Sequence, residues 1–192
     1  MATRLRYISQ NNELLQEFSY AHPRTKFHVN KIFNSHFSGQ VLWDLFSREA
    51  EMVENTWNVS FRIMYNLPRN AHKFLVEPVS ECVHIKKTFI KRFLSFISQI
   101  KKSHKVAMKN VFHTVKHDCR SVTGSNLRNI MLLVGKTNID DLCPEDSSIV
   151  EYNEIPEDQA WRVSVIKELV DVKWGEMVVE GFSKDELSYI LG

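Results

Sequence analysis

The stretch HIKKTFIKRFLSFISQIKKSHK, from His84 to Lys105, holds seven Lys and Arg residues among large apolar ones and contains no acid. On a helix with about 100° between successive residues, its apolar side chains fall within about 120° of arc and predict a buried stripe. The stripe consists of Ile85, Phe89, Phe93, Phe96, Ile97 and Ile100. Four lysines fall within about 60° on roughly the opposite side. This basic ridge consists of Lys87, Lys91, Lys102 and Lys105, and Lys109 joins it if the helix continues through Ser103 and His104.

Three interpretations of the basic ridge stay open on residues alone. The ridge is the solvated outer face of a core helix, a surface that binds the regularly spaced phosphates of a polyanion, or part of a helix that lies on anionic lipid. The apolar stripe favours the first two interpretations, because it allows the helix to pack against a protein core.

Composition excludes several classes of protein. With 192 residues, 43% of them hydrophobic, the chain is long enough for a substantial core and is neither fibrous nor disordered. Its apolar runs are far shorter than the roughly 18 residues of a membrane span, and no apolar segment follows the N-terminal arginines as a secretory signal requires. The three cysteines at unrelated spacings indicate reduced thiols. We therefore expect an intracellular protein of the nucleus or cytoplasm, without a membrane partner.

The first 120 residues and the rest of the chain carry net charges of opposite sign. Residues 1–120 hold 19 Lys and Arg against nine acids, whereas residues 121–192 hold six against 14. Such polarity favours a polyanionic partner for the first part, or docking of the acidic part or of a partner protein on the basic face. The sequence predicts a basic helical domain over residues 1–143, an acidic linker over 144–156 and an acidic helical segment over 157–192.

Helical periodicity dominates, and no run alternates as a strand does. Five helices are predicted before the last third of the chain: Leu5–Tyr20, Thr25–Phe33, one capped by Ser47 and ending before Pro68, Ala71–Val76 with a stop at Pro78, and the basic segment. Three more follow: Leu127–Val134 with Gly135 as its cap, one opened by Pro156 with Trp161 in its apolar stripe, and one opened by the capping box Ser183–Glu186. The fold class is therefore all-α, an irregular multi-helix bundle with an acidic helical C-terminal appendage.

Two short motifs resemble parts of known sites, one for nucleotide phosphates and one for magnesium. VGKT, Val134–Thr137, ends like a phosphate-binding loop, but Ile130 stands where that motif needs its first glycine. NIDDL, Asn138–Leu142, resembles the paired aspartates that hold magnesium in polymerases, but it lacks a strand hairpin and a third carboxylate. An exposed turn is the better interpretation, and we expect no catalytic residue.

A zinc site is a further alternative. His113 and His117 lie four residues apart on one helical face, near Cys119, and Cys82 and His84 supply two more ligands. The cysteines lack the paired spacing of zinc ribbons, and histidines four apart often flank an apolar stripe. We therefore expect no metal and no cofactor.

Several stretches of the chain together carry a family resemblance. They are KIFNSHFSGQVLWDLFSRE (31–49), ENTWNVSFRIMYNLPRNAHKFLVEPVSECVHIKKTFIKRFLSFI (54–97), DCRSVTGSNLRNIM (118–131) and the segment 161–192. They resemble the region downstream of the polymerase core, and the extreme C-terminus, of reverse transcriptases encoded by non-LTR retrotransposons. The polymerase motif with its paired aspartates and the endonuclease have no counterpart here. The resemblance thus implies a non-catalytic retrotransposon remnant.

In that family the post-polymerase region is thought to help hold template RNA and target DNA. Carried over, the resemblance implies that RNA or DNA phosphates bind, without sequence specificity, to Lys86, Lys87, Lys91, Arg92, Lys101, Lys102 and Lys105. Arg69 and Lys73 are expected as flanking contacts, while the spacing of Trp43 and Trp57 favours core packing over base stacking. The alternative is a helical interaction or scaffold module without a nucleic-acid role.

Overall fold

The computed structural model describes residues 2–19, 21–34, 37, 39–149 and 160–172, and these contain helices but no strand, which confirms the all-α class. The chain divides into two compact units: unit 1 comprises residues 1–36, 55–83 and 152–192, and unit 2 comprises 37–54 and 84–151. The predicted boundaries near residues 143 and 156 stay a prediction, since residues 150–159 lie outside the described part.

The α-helices of the described residues are α1 Ala2–Glu17, α2 Pro23–Asn34, α3 Arg48–Met64, α4 Val76–Ser80, α5 Ile85–Lys102, α6 Val106–His117, α7 Val122–Leu133 and α8 Ala160–Val172. Short 3-10 helices cover Gln40–Leu42, Lys73–Leu75, Ile139–Asp141 and Pro144–Ser148. As predicted, Ser47 caps α3, because its hydroxyl accepts a hydrogen bond from the Ala50 amide at 3.3 Å.

Unit 1 has an aromatic core. Phe27 of α2 makes edge-to-face contacts with Trp57, Phe61 and Tyr65 of α3 at centroid distances between 5.2 and 6.2 Å. Tyr7 of α1 packs against Trp57, and its hydroxyl accepts a hydrogen bond of 2.9 Å from the Asn30 side chain. All of these rings are buried, so the expected burial of Trp57 is confirmed.

Unit 2 is organised around α5. The buried residues of α5 are Ile85, Phe89, Ile90, Phe93, Leu94, Ile97 and Ile100. The predicted stripe is confirmed except at Phe96, which is half-buried. The helix does not continue through Ser103 and His104: Ser103 is its C-cap in an extended conformation, and α6 begins only after Lys105. Lys105 and Lys109 therefore do not share the α5 helix with the rest of the basic ridge.

Two predicted helix boundaries were wrong. Pro78 does not stop α4 but lies in its first turn, where no helical partner is needed for the missing N–H. The helix predicted from Leu127 begins five residues earlier, because the Ser121 hydroxyl caps it by accepting the Gly124 amide. Gly135, with φ of +67°, follows its end as expected.

The acidic C-terminal part of the chain contributes a short helix to unit 2 and α8 to unit 1. Residues 144–148 of the predicted linker form a 3-10 helix packed against α5, with Asp146 and Ser147 buried. In α8, Ile166 is buried but Trp161 is 51% exposed, so Trp161 does not belong to a buried stripe. The predicted helix start at Pro156 and the capping box Ser183–Glu186 lie outside the described residues.

Candidate nucleic-acid interface

The start of α5 is fixed by a buried polar pair. His84 is the N-cap, and its Nδ1 accepts a hydrogen bond from the Lys86 amide at 3.3 Å. Its Nε2 lies 3.8 Å from Oε1 of Glu54, and both side chains are buried. A ring nitrogen that accepts from the backbone carries no proton, so Nε2 is the protonated nitrogen that faces the carboxylate. The pair lies at the first turn of α5, directly before the lysines of that helix.

Three of the predicted binding residues serve contacts inside unit 2. Arg92 donates a hydrogen bond of 3.3 Å to the buried Gln40 side chain, and burial lowers the pKa of Arg92. Lys86 lies 5.4 Å from the centroid of the Phe46 ring. Lys101 donates to the Asp140 carbonyl oxygen at 2.7 Å. These cations therefore face the protein at least as much as the solvent.

The other four predicted binding residues differ in exposure. Lys91, Lys102 and Lys105 are exposed, while Lys87 is half-buried. Lys102 and Lys105 pair with no acid among the residues that the structure describes, and the same holds for the exposed Lys109 on α6. Lys102, Lys105 and Lys109 are called the junction lysines below, because they surround the break between α5 and α6.

Lys91 has an acidic neighbour in the 3-10 helix over residues 144–148. The pKa of Glu145 is lowered, first by its own backbone amide and the Cys143 side chain and further by the charge of Lys91. Glu145 is exposed, so solvent screens this attraction. The acidic segment thus offsets part of the basic ridge at Lys91.

NIDDL forms a 3-10 turn. The Asn138 side chain caps it by accepting the Asp140 amide at 3.0 Å, and Asp140 is half-buried. Lys116 of α6 hydrogen-bonds the Asp140 carboxylate, and this bond is the main reason that the Asp140 pKa is lowered. Lys101 of α5 lies 3.9 Å from the same carboxylate. Asp140 therefore acts as a shared counter-ion for α5 and α6, which the sequence motif did not indicate.

VGKT has a structural explanation as well. Lys136 donates to the Asp141 carbonyl oxygen at 2.7 Å and to the buried Asp146 carboxylate at 2.8 Å. Burial raises the pKa of Asp146, but hydrogen bonds from Lys136 and the Cys143 amide outweigh burial and bring the pKa below its ordinary value. The lysine of this motif thus holds the acidic 3-10 segment in place.

The TGSN motif, residues 123–126, joins elements within unit 2. Gly124 lies so close to the end of α6 that an added Cβ would come within 2.1 Å of the Asp118 carbonyl oxygen. Asn126 is fully buried, accepts the Leu45 amide at 3.0 Å and donates to the Trp43 carbonyl oxygen at 2.7 Å. These contacts explain Gly124 and Asn126 without a ligand.

Trp43 and Trp57 pack within their units, whereas the predicted flanking cations Arg69 and Lys73 lie on the surface. Trp57 is buried, and the half-buried Trp43 packs against Phe37 and Phe89, which agrees with core packing. Arg69 and Lys73 are exposed and belong to unit 1. Their role as flanking contacts stays a prediction.

His113 and His117 lie next to each other, but no metal centre is found in the described part of the chain. The rings of His113 and His117 lie 4.7 Å apart. Among the described residues, no group of three or more His, Cys, Asp or Glu side chains is arranged to hold a metal ion. Likewise, no helix in the described ranges is long and apolar enough to cross a membrane.

Comparisons of the chain with family models, with curated proteins and with solved structures give no match. The resemblance to retrotransposon reverse transcriptases therefore stays a prediction.

Proposed function

We propose that the chain is a non-catalytic segment that binds the phosphate backbone of RNA or DNA without sequence specificity. In keeping with the resemblance, we propose that it derives from the post-polymerase region of a non-LTR retrotransposon reverse transcriptase. The observation that carries the binding proposal is the exposed cluster of junction lysines, Lys102, Lys105 and Lys109, with no acid partner among the described residues.

The sequence around the junction supports this proposal. From Cys82 to His117 there is no acid, while nine Lys and Arg residues occur. Proteins normally intersperse both charge signs on an exposed helix, because opposite charges at a spacing of three or four residues stabilise it. A one-sign surface instead forgoes this stabilisation and attracts polyanions, whose condensed counterions are released on binding.

A second candidate is a helical interaction or scaffold module whose basic face meets an acidic protein segment. One observation favours it: the 3-10 helix at residues 144–148 already packs on α5, with Glu145 near Lys91. In this candidate an acidic protein segment occupies these lysines, and nucleic acid has no role. The two candidates differ in which polyanion binds more tightly.

The test is a binding assay with charge-matched variants. Single-stranded RNA, double-stranded RNA and a poly-glutamate peptide are titrated at one salt concentration against the wild type and the variant K102Q/K105Q/K109Q. The control variant R6Q/R48Q/R120Q also removes three exposed cations, all outside the junction. Its net charge equals that of the junction variant, so long-range attraction changes equally.

The proposal predicts that RNA affinity falls far more in the junction variant than in the control, with the circular dichroism spectrum unchanged. Equal affinities of the two variants for RNA would reject the junction as the binding surface. Tighter binding of poly-glutamate than of RNA would favour the scaffold candidate.

A further inference from the structure

A surface cleft lies within unit 2, away from the stripe of α5. It has a volume of about 390 Å³, at the lower end of the range for small-molecule sites. Its lining comes from the end of α6, one face of α7 and the segment 137–139, which leads into the NIDDL turn: Lys116, His117, Arg128, Met131, Leu132, Thr137, Asn138 and Ile139. No acid is among these lining residues.

The polar side of the cleft is cationic. Arg128 is exposed and pairs with no acid within the described ranges. Lys116 also lines the cleft, but its charge is offset by Asp140, which lies outside the lining and also faces Lys101. The summed charge of Lys101, Lys116, Arg128 and Asp140 is therefore positive. A guanidinium matches two oxygens of a phosphate at once, so Arg128 is the principal anion-binding group.

Neutral donors and an apolar wall complete the cleft. The Asn138 oxygen accepts the Asp140 amide, which leaves the NH₂ group of Asn138 as a donor, and Thr137 adds an exposed hydroxyl. On α7, Met131 and Leu132 follow Arg128 by three and four residues and therefore share its face. Leu132 is 74% exposed, which leaves apolar surface beside the cation.

We propose that this cleft binds a phosphate monoester that carries a flat, weakly polar group, as a nucleoside monophosphate does. Arg128 and Lys116 hold the phosphate, Thr137 and Asn138 donate to its remaining oxygens, and Leu132 covers the attached base. Two sources supply this chemistry: a free mononucleotide, or the terminal phosphate of a nucleic-acid strand. Only the second source rests on the proposed function.

The experiment is a titration of ¹⁵N-labelled full-length protein followed by NMR, with adenosine monophosphate, inorganic phosphate and adenosine as separate probes. We expect adenosine monophosphate to shift the amides of Thr137, Asn138 and Arg128 and to bind more tightly than either fragment. The substitution R128Q should lower the affinity for adenosine monophosphate about tenfold, the usual loss for a charged hydrogen bond. The control R120Q, an exposed arginine outside the cleft, should leave it unchanged.

Three results would overturn the site: no shift of those amides at millimolar nucleotide, adenosine binding as tightly as its monophosphate, or equal effects of R128Q and R120Q. The source is then decided with one oligonucleotide carrying a 5′-phosphate or a 5′-hydroxyl. A preference for the phosphate that R128Q abolishes assigns the strand end, and equal binding assigns the free mononucleotide. Variant K102Q/K105Q/K109Q separates the two proposals, since it should lose RNA affinity while keeping the nucleotide shifts.

Discussion

Helices α5 and α6 come from the same acid-free stretch, yet only α5 has a buried side. Seven of its residues are buried, whereas none of the residues of α6 is buried, although all of them are described. In α5, therefore, core packing accounts for the apolar residues, and several cations serve internal contacts. In α6 and at the junction, packing accounts for much less of the sequence. The exposed junction lysines are therefore the cations that core packing does not explain.

The largest expected effect concerns packing. Replacement Phe93→Ala in α5 should lower the free energy of unfolding by about 3–5 kcal/mol, because it removes a fully buried ring and leaves a cavity. The counterpart Val111→Ala in α6, at a side chain that is 49% exposed, should cost less than about 1 kcal/mol. Urea denaturation of both variants measures the difference. Similar losses would show that α6 is packed as firmly as α5.

The next effect concerns the acidic 3-10 helix that packs on α5. Replacement Asp146→Asn should cost about 2 kcal/mol, since it breaks a buried carboxylate's bonds with Lys136 and the Cys143 amide. Asp141→Asn is the control, because Asp141 is exposed and its hydrogen bond with Lys136 uses the backbone carbonyl oxygen, which the substitution keeps. Equal stability of the two variants would contradict the structural role of the segment.

The same carboxylate predicts a pH dependence. Because the pKa of Asp146 is lowered in the folded state, its contribution is present above the unfolded value of about 4 and is lost as pH falls through the folded pKa. The stability difference between wild type and Asp146→Asn should therefore be constant from about pH 5 upward and shrink below about pH 4. A difference that instead grows on acidification would show the opposite sign of the shift.

The smallest effect concerns Asp140, the shared counter-ion of α5 and α6. Replacement Asp140→Asn should change stability by less than about 1 kcal/mol, because the pair with Lys116 is partly exposed and screened. It should raise RNA affinity about fivefold, because the carboxylate that offsets the charges of Lys101 and Lys116 is removed. Glu13→Gln on α1 removes the same charge from an exposed site and serves as the control. Equal RNA affinities of both variants would mean that Lys101 and Lys116 take no part in RNA binding.

Local sequence patterns predicted much of the fold. The helical period of Phe89, Phe93 and Ile97 identified the buried side of α5, and Ser47 identified the start of α3. The start of α7 was predicted wrongly: the local Ser121 cap and the long-range bonds of the buried Asn126 bring residues 122–126 into the helix, although their composition is typical of a turn.

The candidate site was less predictable. Lys101 and Asp140 are 39 residues apart, and no periodicity links them, so the internal use of Lys101 required the structure. Arg128 was missed because a single arginine on an amphipathic helix carries no signal until Lys116 and Thr137 lie beside it. Charge sign along the chain indicated the basic stretch, but only burial and pairing distinguish Arg92 from Lys102.

The most direct test of phosphate binding at the junction is the salt dependence of RNA affinity. With Lys91 and the three junction lysines as contacts, the slope of log affinity against log salt concentration should lie near −3 to −4, at roughly 0.7 to 0.9 per phosphate. In K102Q/K105Q/K109Q the slope should shrink by just under one unit per removed lysine, and in R6Q/R48Q/R120Q it should stay close to the wild-type value. Equal slopes in the wild type and the junction variant, with helical spectra intact, would contradict the proposal and leave these lysines as a solvated surface.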